Sequence, residues 1–214
     1  VNTNYQLYDD WDRCLYILKW HTRIGSGCRK FNEALFHSGL GWSGKDTTVN
    51  CLTGLLGYDT DNGYVGTLKP EYFDDSRGSA EGATAFLAAL AGARLCVISE
   101  RKQGSTAFDG EKLKPLTEQE GCRIPARKLF KAPQSITMTA AFIGLSNSQV
   151  DLGPSPDDGI KRRFIPDPMP NKFVPKDRLV PGCTSGQARC SSRRAQRGSR
   201  TRTASCLLYT SPSP

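Results

Sequence analysis

Residues Gly39–Lys45 read G-L-G-W-S-G-K and follow directly on the apolar stretch Ala34–Phe36. Gly39 and Gly44 bracket four residues and Lys45 comes next, the spacing G-x-x-x-x-G-K. A chain carrying this pattern has little freedom of fold. It needs a strand to deliver the loop and a helix to receive it. The missing Cβ atoms let the loop curl until successive N–H groups converge on one anion. Thr47–Leu56 reads as the helix, its positive end facing the same anion. Lys45 adds a mobile point charge. Gly39, Gly41, Gly44, Lys45, Asp46 and Thr47 are thus the candidate set for gripping a nucleoside triphosphate such as ATP. Taken alone, the segment also reads as an ordinary glycine-rich turn. The residue after the lysine of such a loop is ordinarily Ser or Thr, whose hydroxyl ligates Mg²⁺. Here it is Asp46, with Thr47 and Thr48 behind it.

Short apolar runs alternate with helical segments along the chain, the pattern of an α/β sheet protein. Ala34–Phe36 is the strand entering the loop, and the helix after it stops at Gly57. Asp59–Gly66 is turn-rich. Ser79–Ala91 has an N-cap Ser79, an early Glu81 and a helical composition that ends before Gly92. Leu95–Ser99, Ile136–Ser146 and Phe164–Pro166 read as strands. Val1–Cys28 reads as a preceding helical element, with Trp11, Leu15 and Trp20 its packing residues.

The two ends read differently from the middle. Cys206–Pro214 (C-L-L-Y-T-S-P-S-P) looks like a translated sequencing-library adapter, and Cys183–Ser205 before it has no acidic residue and no hydrophobic period. A nucleic-acid-binding basic tail has similar composition; read-through translation is the favoured reading, and the first residue is Val1. The expectation is a fragment: 1–30 the end of a cut helical region, 31–180 one domain, 181–214 a disordered non-native tail. The tail's six arginines account for all but +2 of the +8 net charge, so the basic balance says little about a partner. The remaining cysteines, 14, 28, 51, 96 and 122, form no C-x-x-C pair and suggest neither zinc nor disulfides. An intracellular setting follows, with the nucleus or a viral replication site as options. No apolar run is long enough for a membrane span.

Downstream of the loop, Arg94–Glu100 is an apolar strand that delivers a carboxylate at its C-terminal edge. Glu100 is a candidate to orient or deprotonate an attacking water and to help hold Mg²⁺. The bland alternative is a solvated Glu after a strand. Lys112–Lys131 interleaves cations with Ile124, Leu129 and Phe130, which suits a strand–turn–strand element touching a nucleic-acid backbone, or simply a solvated face. Asn147, after Ile136–Ser146, offers an amide to a phosphate or water, or serves a turn. Arg162 and Arg163 can act as arginine fingers from a neighbouring subunit, or sit harmlessly on the surface.

The order of these signals is more telling than any one of them. It runs from the phosphate loop through G-A-R-L-C-V-I-S-E, L-K-P-L-T, I-P-A-R-K-L-F-K, a strand plus Asn, and D-x-x-x-x-R-R before I-P. Over Ala34 to Val174 this resembles the superfamily-3 helicase domain of phage, plasmid and large-DNA-virus primase-helicases. The resemblance implies an AAA+-like P-loop ATPase, a parallel sheet flanked by helices, built into a homo-hexameric ring that unwinds DNA. It maps the phosphate-loop lysine to Lys45, the strand-terminal acid to Glu100, the sensor Asn to Asn147 and the finger to Arg162 or Arg163. Phosphate contacts to single-stranded or forked DNA fall on Lys114, Arg123, Arg127 and Lys131. Mg²⁺ falls to Asp46, Thr47 and Glu100. The chain departs from the family at Asp46, at Ser99 where a second acid is common, and at Glu118–Glu120 in place of a Gly-Gly-Asp-like turn. Two other readings stay open: a small-molecule P-loop kinase, and a catalytically silent nucleotide-binding relic of a viral or mobile element.

Overall fold

A computed structural model describes residues 10–26, 32–57, 63–73, 84–100, 108–118, 123–126, 134–174 and 206–208. The chain enters through helix α1 (Trp11–Ser26), strand β1 (Ala34–Ser38) and helix α2 (Lys45–Leu56). Strand β2 (Val65–Leu68), helix α3 (Thr84–Ala89) and strand β3 (Leu95–Ile98) follow. Then come the short helix α4 (Leu113–Leu116) and strands β4 (Arg123–Ala126), β5 (Gln134–Thr137) and β6 (Ala141–Ser146). Helix α5 (Asp158–Arg163) leads straight into β7 (Phe164–Pro168), then β8 (Lys172–Val174) and β9 (Cys206–Leu208).

Five strands form one sheet in the order β2-β3-β6-β1-β7, every neighbouring pair parallel. The three inner strands are continuous apolar runs because both faces are covered. Alternate side chains go to opposite faces, as the two-residue strand period requires. Ala34, Phe36, Cys96, Ile98 and Phe142 join one core with Leu87, Leu113 and Leu116. Leu35, Leu95, Val97, Ala141 and Ile143 join the other with Cys14, Ile17, Trp20, Val49 and Leu52. Helices α1 and α2 therefore cover one face, α3 and α4 the other. The boundary expected near residue 30 does not separate two cores, since α1 packs into the same cluster as β1. Among the described residues, no helix is long and apolar enough to cross a membrane.

Several elements differ from the sequence expectation. The turn-rich segment expected over Asp59–Gly66 runs into β2; Gly66 at its centre disguises the strand, and the missing Cβ there admits the side chain of Leu90. The single strand expected over Ile136–Ser146 is two, β5 and β6. Between them the chain turns into the sheet, where Ala141 N donates to Arg94 O at 2.9 Å and Met138 is fully buried. The strand expected to open Lys112–Lys131 is instead helical. Asp109 caps that turn by accepting from Glu111 N at 3.0 Å, and the i, i+3 pair Leu113 and Leu116 is buried. The antiparallel hairpin lies further on, between β4 and β5. In α1, Trp20 is buried as expected, but Trp11 and Leu15 are exposed. The buried stripe is Cys14, Ile17, Trp20, His21 and Ile24. Leu15 points off that stripe, and Trp11 sits at its open end. Start signals Ser79 and Glu81 lie outside the described residues. In the tail, where no regular structure is expected, Cys206–Leu208 pairs in parallel with Lys172–Val174.

Candidate functional site

The loop between β1 and α2 is held from three sides. Gly39 N donates to Ser146 O at the end of β6 (3.0 Å), and Met169 N, just past β7, donates to Ser38 O (2.7 Å). Phe173 N in β8 donates to Trp42 O (2.8 Å). Gly39 is required sterically: a Cβ there would lie 2.7 Å from Met169 O and 2.8 Å from Ser43 Oγ. Trp42 (φ 71°) and Gly44 (φ 89°) are both left-handed, the kind of backbone conformation from which anion-binding nests are built. For Trp42 that conformation costs on the order of 1 kcal/mol, a strain set by the loop's shape. Gly41 has open space around it, so nothing among the described residues demands glycine there.

Lys45 opens α2 and is only 4% exposed. Its Nζ donates to Asn147 Oδ1 at 2.6 Å. Two residues 102 positions apart thus meet because β6 lies next to β1 and both strands end at one level, Ser38 opposite Ser146. Among the described residues, that neutral amide is the lysine's side-chain partner, and no carboxylate approaches it. A buried ammonium without a counter-charge is costly. Ser43 Oγ, also buried, has no hydrogen-bond partner within the described residues. A cradle of N–H groups, a helix N-terminus and an uncompensated buried cation together suit a polyanion.

Glu100 is exposed just past β3. Ile98 pairs with Gly144, so two residues further on Glu100 reaches the level of Ser146 and Ser38. It therefore stands on the same sheet edge as Lys45 and Asn147, about 10 Å from β1 across the intervening strand. Asp46 and Thr47 are exposed in the first turn of α2. Their oxygens and that of Glu100 are hard donors of the kind Mg²⁺ takes, although the described residues contain no preformed cluster of three metal-binding side chains.

Arg162 and Arg163 are not part of this edge. β7 pairs with β1 so that Phe164 is opposite Ala34, which puts both arginines beside the first residue of β1. The loop follows the last residue, about 15 Å away along the strand. Arg162 Nε donates to Asp158 O (3.3 Å) and Arg163 Nη1 to Gly159 O (3.0 Å), and Arg163 Nε is buried with no hydrogen-bond partner among the described residues. Neither guanidinium meets a carboxylate among the described residues.

The expected nucleic-acid contacts divide. Arg123 is exposed on β4. Arg127 and Lys131 lie outside the described residues. Lys114 stands apart from the hairpin on α4, and its ammonium is engaged by Glu111 (2.8 Å) and Asp157.

Sequence reading missed a buried charge cluster beneath the loop. Asp167 on β7, with no exposure, accepts from His37 Nδ1 (2.6 Å) and from Arg13 Nη2 (2.6 Å) and Nε (3.2 Å). This ties α1, β1 and β7 together two residues before Gly39. The one local signal was a histidine inside the apolar run A-L-F-H-S. Nothing local pairs it with a residue 130 positions away.

No family model matches the chain, and no curated protein does. Among solved structures, the apo C-terminal region of NrS-1 superposes with a TM-score of 0.57 at 16% identity, covering 78% of this chain and 37% of that one. Its A form gives the same TM-score and identity, covering 36% of that chain. A JCV helicase bound to a small-molecule acetamide has a TM-score of 0.47 at 12% identity, covering 76% of this chain and 41% of that one. The chain thus spans little more than a third of the NrS-1 structure's length. At these identities the likeness establishes the fold alone: α/β, a parallel sheet flanked by helices.

Proposed function

We propose that this chain is the ATPase part of a nucleic-acid helicase, hydrolysing ATP at the contacts between copies in a hexameric ring and moving along single-stranded or forked DNA. The observation that carries the reading is the buried Lys45 ammonium, 2.6 Å from the amide of Asn147 and, among the described residues, without a counter-charge. A triphosphate supplies the missing negative charge. In this reading the backbone at Gly39, Gly41 and Gly44 cradles the inner phosphates while Lys45 compensates the outer ones. Asn147 hydrogen-bonds the terminal phosphate or the attacking water, and Glu100 orients that water and accepts its proton. Asp46, Thr47 and Glu100 are the residues to hold Mg²⁺, which offsets phosphate charge when bound. The separation between loop and arginines within one chain supports the arginines acting on the ATP of an adjacent copy. Arg123, with Arg127 and Lys131, is then the group to meet the DNA backbone.

Steady-state ATPase with and without single-stranded DNA tests the reading. Turnover is expected to rise with DNA. Lys45→Ala is expected to abolish it, a loss of at least about a hundredfold. Turnover unchanged in Lys45→Ala rules the site out. Turnover indifferent to DNA rules out the helicase and points instead to a small-molecule kinase.

A further inference from the structure

Lys114 was expected at a nucleic-acid phosphate, yet its ammonium sits between two carboxylates of its own chain. Nζ bonds Glu111 Oε1 at 2.8 Å and Asp157 Oδ2. Asp157 is the N-cap of α5, where its other oxygen, Oδ1, accepts from Ile160 N at 2.7 Å. One carboxylate therefore does two jobs, ending the helix with one oxygen and anchoring it to α4 with the other.

The helix so held is six residues long and ends in Arg162 and Arg163. A helix that short has little stability of its own, so its direction depends on its anchors. One anchor is Ile160, seated on Gly110: a Cβ at Gly110 would lie 2.7 Å from Ile160 Cδ1. At its C-terminal end the helix runs straight into β7, and at its N-terminal end the anchor is Lys114. At Gly159 lysine and cap meet the arginine directly. A Cβ there would lie 3.2 Å from Asp157 Oδ1, 3.4 Å from Lys114 Cε and 3.5 Å from Arg163 Nη1. The lysine stem, the capping carboxylate and the guanidinium thus share one glycine.

We propose that Lys114 is a positioning residue for the arginine pair rather than a nucleic-acid contact: by holding the N-cap carboxylate of α5 it sets where Arg162 and Arg163 point. The proposal rests on the reading of those arginines as fingers for a neighbouring ATP. It accounts for a lysine whose charge is already neutralised by Asp157 and Glu111, and which lies on α4 rather than on the β4–β5 hairpin.

Asp157→Asn isolates the ion pair, because Asn caps helices as well as Asp while losing the charge that holds Lys114. Lys114→Ala removes the same pair from the other side, and Lys114→Arg keeps it. The full 214-residue chain is assayed for ATPase kcat and KM, nucleotide Kd, and single-stranded DNA affinity across a salt series. Lys114→Ala and Asp157→Asn are expected to lower kcat about tenfold or more, with ATP KM, nucleotide Kd and the salt dependence of DNA binding unchanged. Lys114→Arg is expected to restore kcat. If Lys114→Ala keeps its kcat but binds DNA more weakly with a shallower salt slope, the residue is a phosphate contact and the proposal is overturned. Loss of nucleotide binding in both variants overturns it too, since the pair would then support the fold at large. Arg163→Ala, run alongside, separates the two layers. If that variant is inactive while Lys114→Ala and Asp157→Asn turn over normally, only the positioning role fails. If Arg163→Ala turns over normally, or the unaltered chain not at all, the finger reading and the positioning role fail together.

Discussion

Asp167, fully buried, is the shared acceptor of the His37 ring and the partly exposed Arg13 guanidinium. Removing a member of such a buried set leaves the others uncompensated, which costs more than the set contributes when whole. Asp167→Ala should therefore destabilise the fold by roughly 3–5 kcal/mol, read as a lowered urea midpoint with an unchanged slope. A loss below about 1 kcal/mol would mean that Arg13 and His37 find other partners. His21, on α1 with its ring 5.9 Å from that of His37, is held neutral. Burial first, and the neighbouring His37 second, lower its pKa from 6.5 to about 4, with Asp167 opposing them. The folded chain then takes up this proton later than the unfolded chain does. The stabilising contribution is complete above pH 6.5 and is lost as the pH falls from there toward 4, on the order of 3 kcal/mol in all. Urea titrations at pH 7.5 and 4.5 measure it, and His21→Phe should flatten the difference. An equal pH dependence in that variant would assign the effect to other groups. At this scale the sequence was a poor guide. Nothing in β1 assigns His37 a role, because its partner is brought in from β7.

Between elements, β6 packs tightly against the aromatic cluster. Gly144 has no side chain, and one added there would run into the ring of Phe36. That ring has nowhere to move, being stacked on Phe164 at 4.2 Å and edge-on to Phe108 at 5.3 Å. Gly144→Ala should cost about 1–3 kcal/mol through overpacking, measured by denaturant unfolding; a neutral or stabilising result would show that the cluster can give way. β6 also carries Ser146 and Asn147, so the same substitution should weaken nucleotide binding. The inner strands β1, β3 and β6 were legible because a doubly covered strand must be continuously apolar. β7 was partly so: Pro166 and Pro168, which give no N–H to a ladder, are tolerated because it is an edge strand. β2 was hidden since its central residue is a glycine chosen for the needs of Leu90, and no local pattern records that. The break between β5 and β6 escaped notice for a similar reason, as residues 138–140 are as apolar as a strand but turn to enter the sheet.

For the molecule as a whole, the parallel register fixes what one copy can and cannot do. Lys45, Asn147 and Glu100 share the C-terminal edge of the sheet, and their order along the chain announced this, since each follows the end of a strand. The arginines occupy the opposite edge, which no motif discloses; it follows from α5 running directly into a strand that pairs with β1 from its first residue. A chain so built cannot bring its own Arg163 to its own loop without dismantling β7. Under the proposed function the arginine must then come from a second copy, as it would in a closed ring of identical contacts in which each subunit offers one edge to its neighbour's other. Arg163→Ala should bind ATP normally yet lose turnover by about a thousandfold, and Glu100→Gln should do the same for a different reason. Mixed together, the two inactive proteins should regain activity. Wherever an Arg163→Ala copy offers its intact Glu100 to the intact arginine of a Glu100→Gln neighbour, a complete site forms, at about one contact in four for equal mixing. The ATPase rate of the mixture against that of each variant alone measures this. A mixture no more active than its components, under conditions where the unaltered chain assembles and turns over, would mean that the arginines do not reach across.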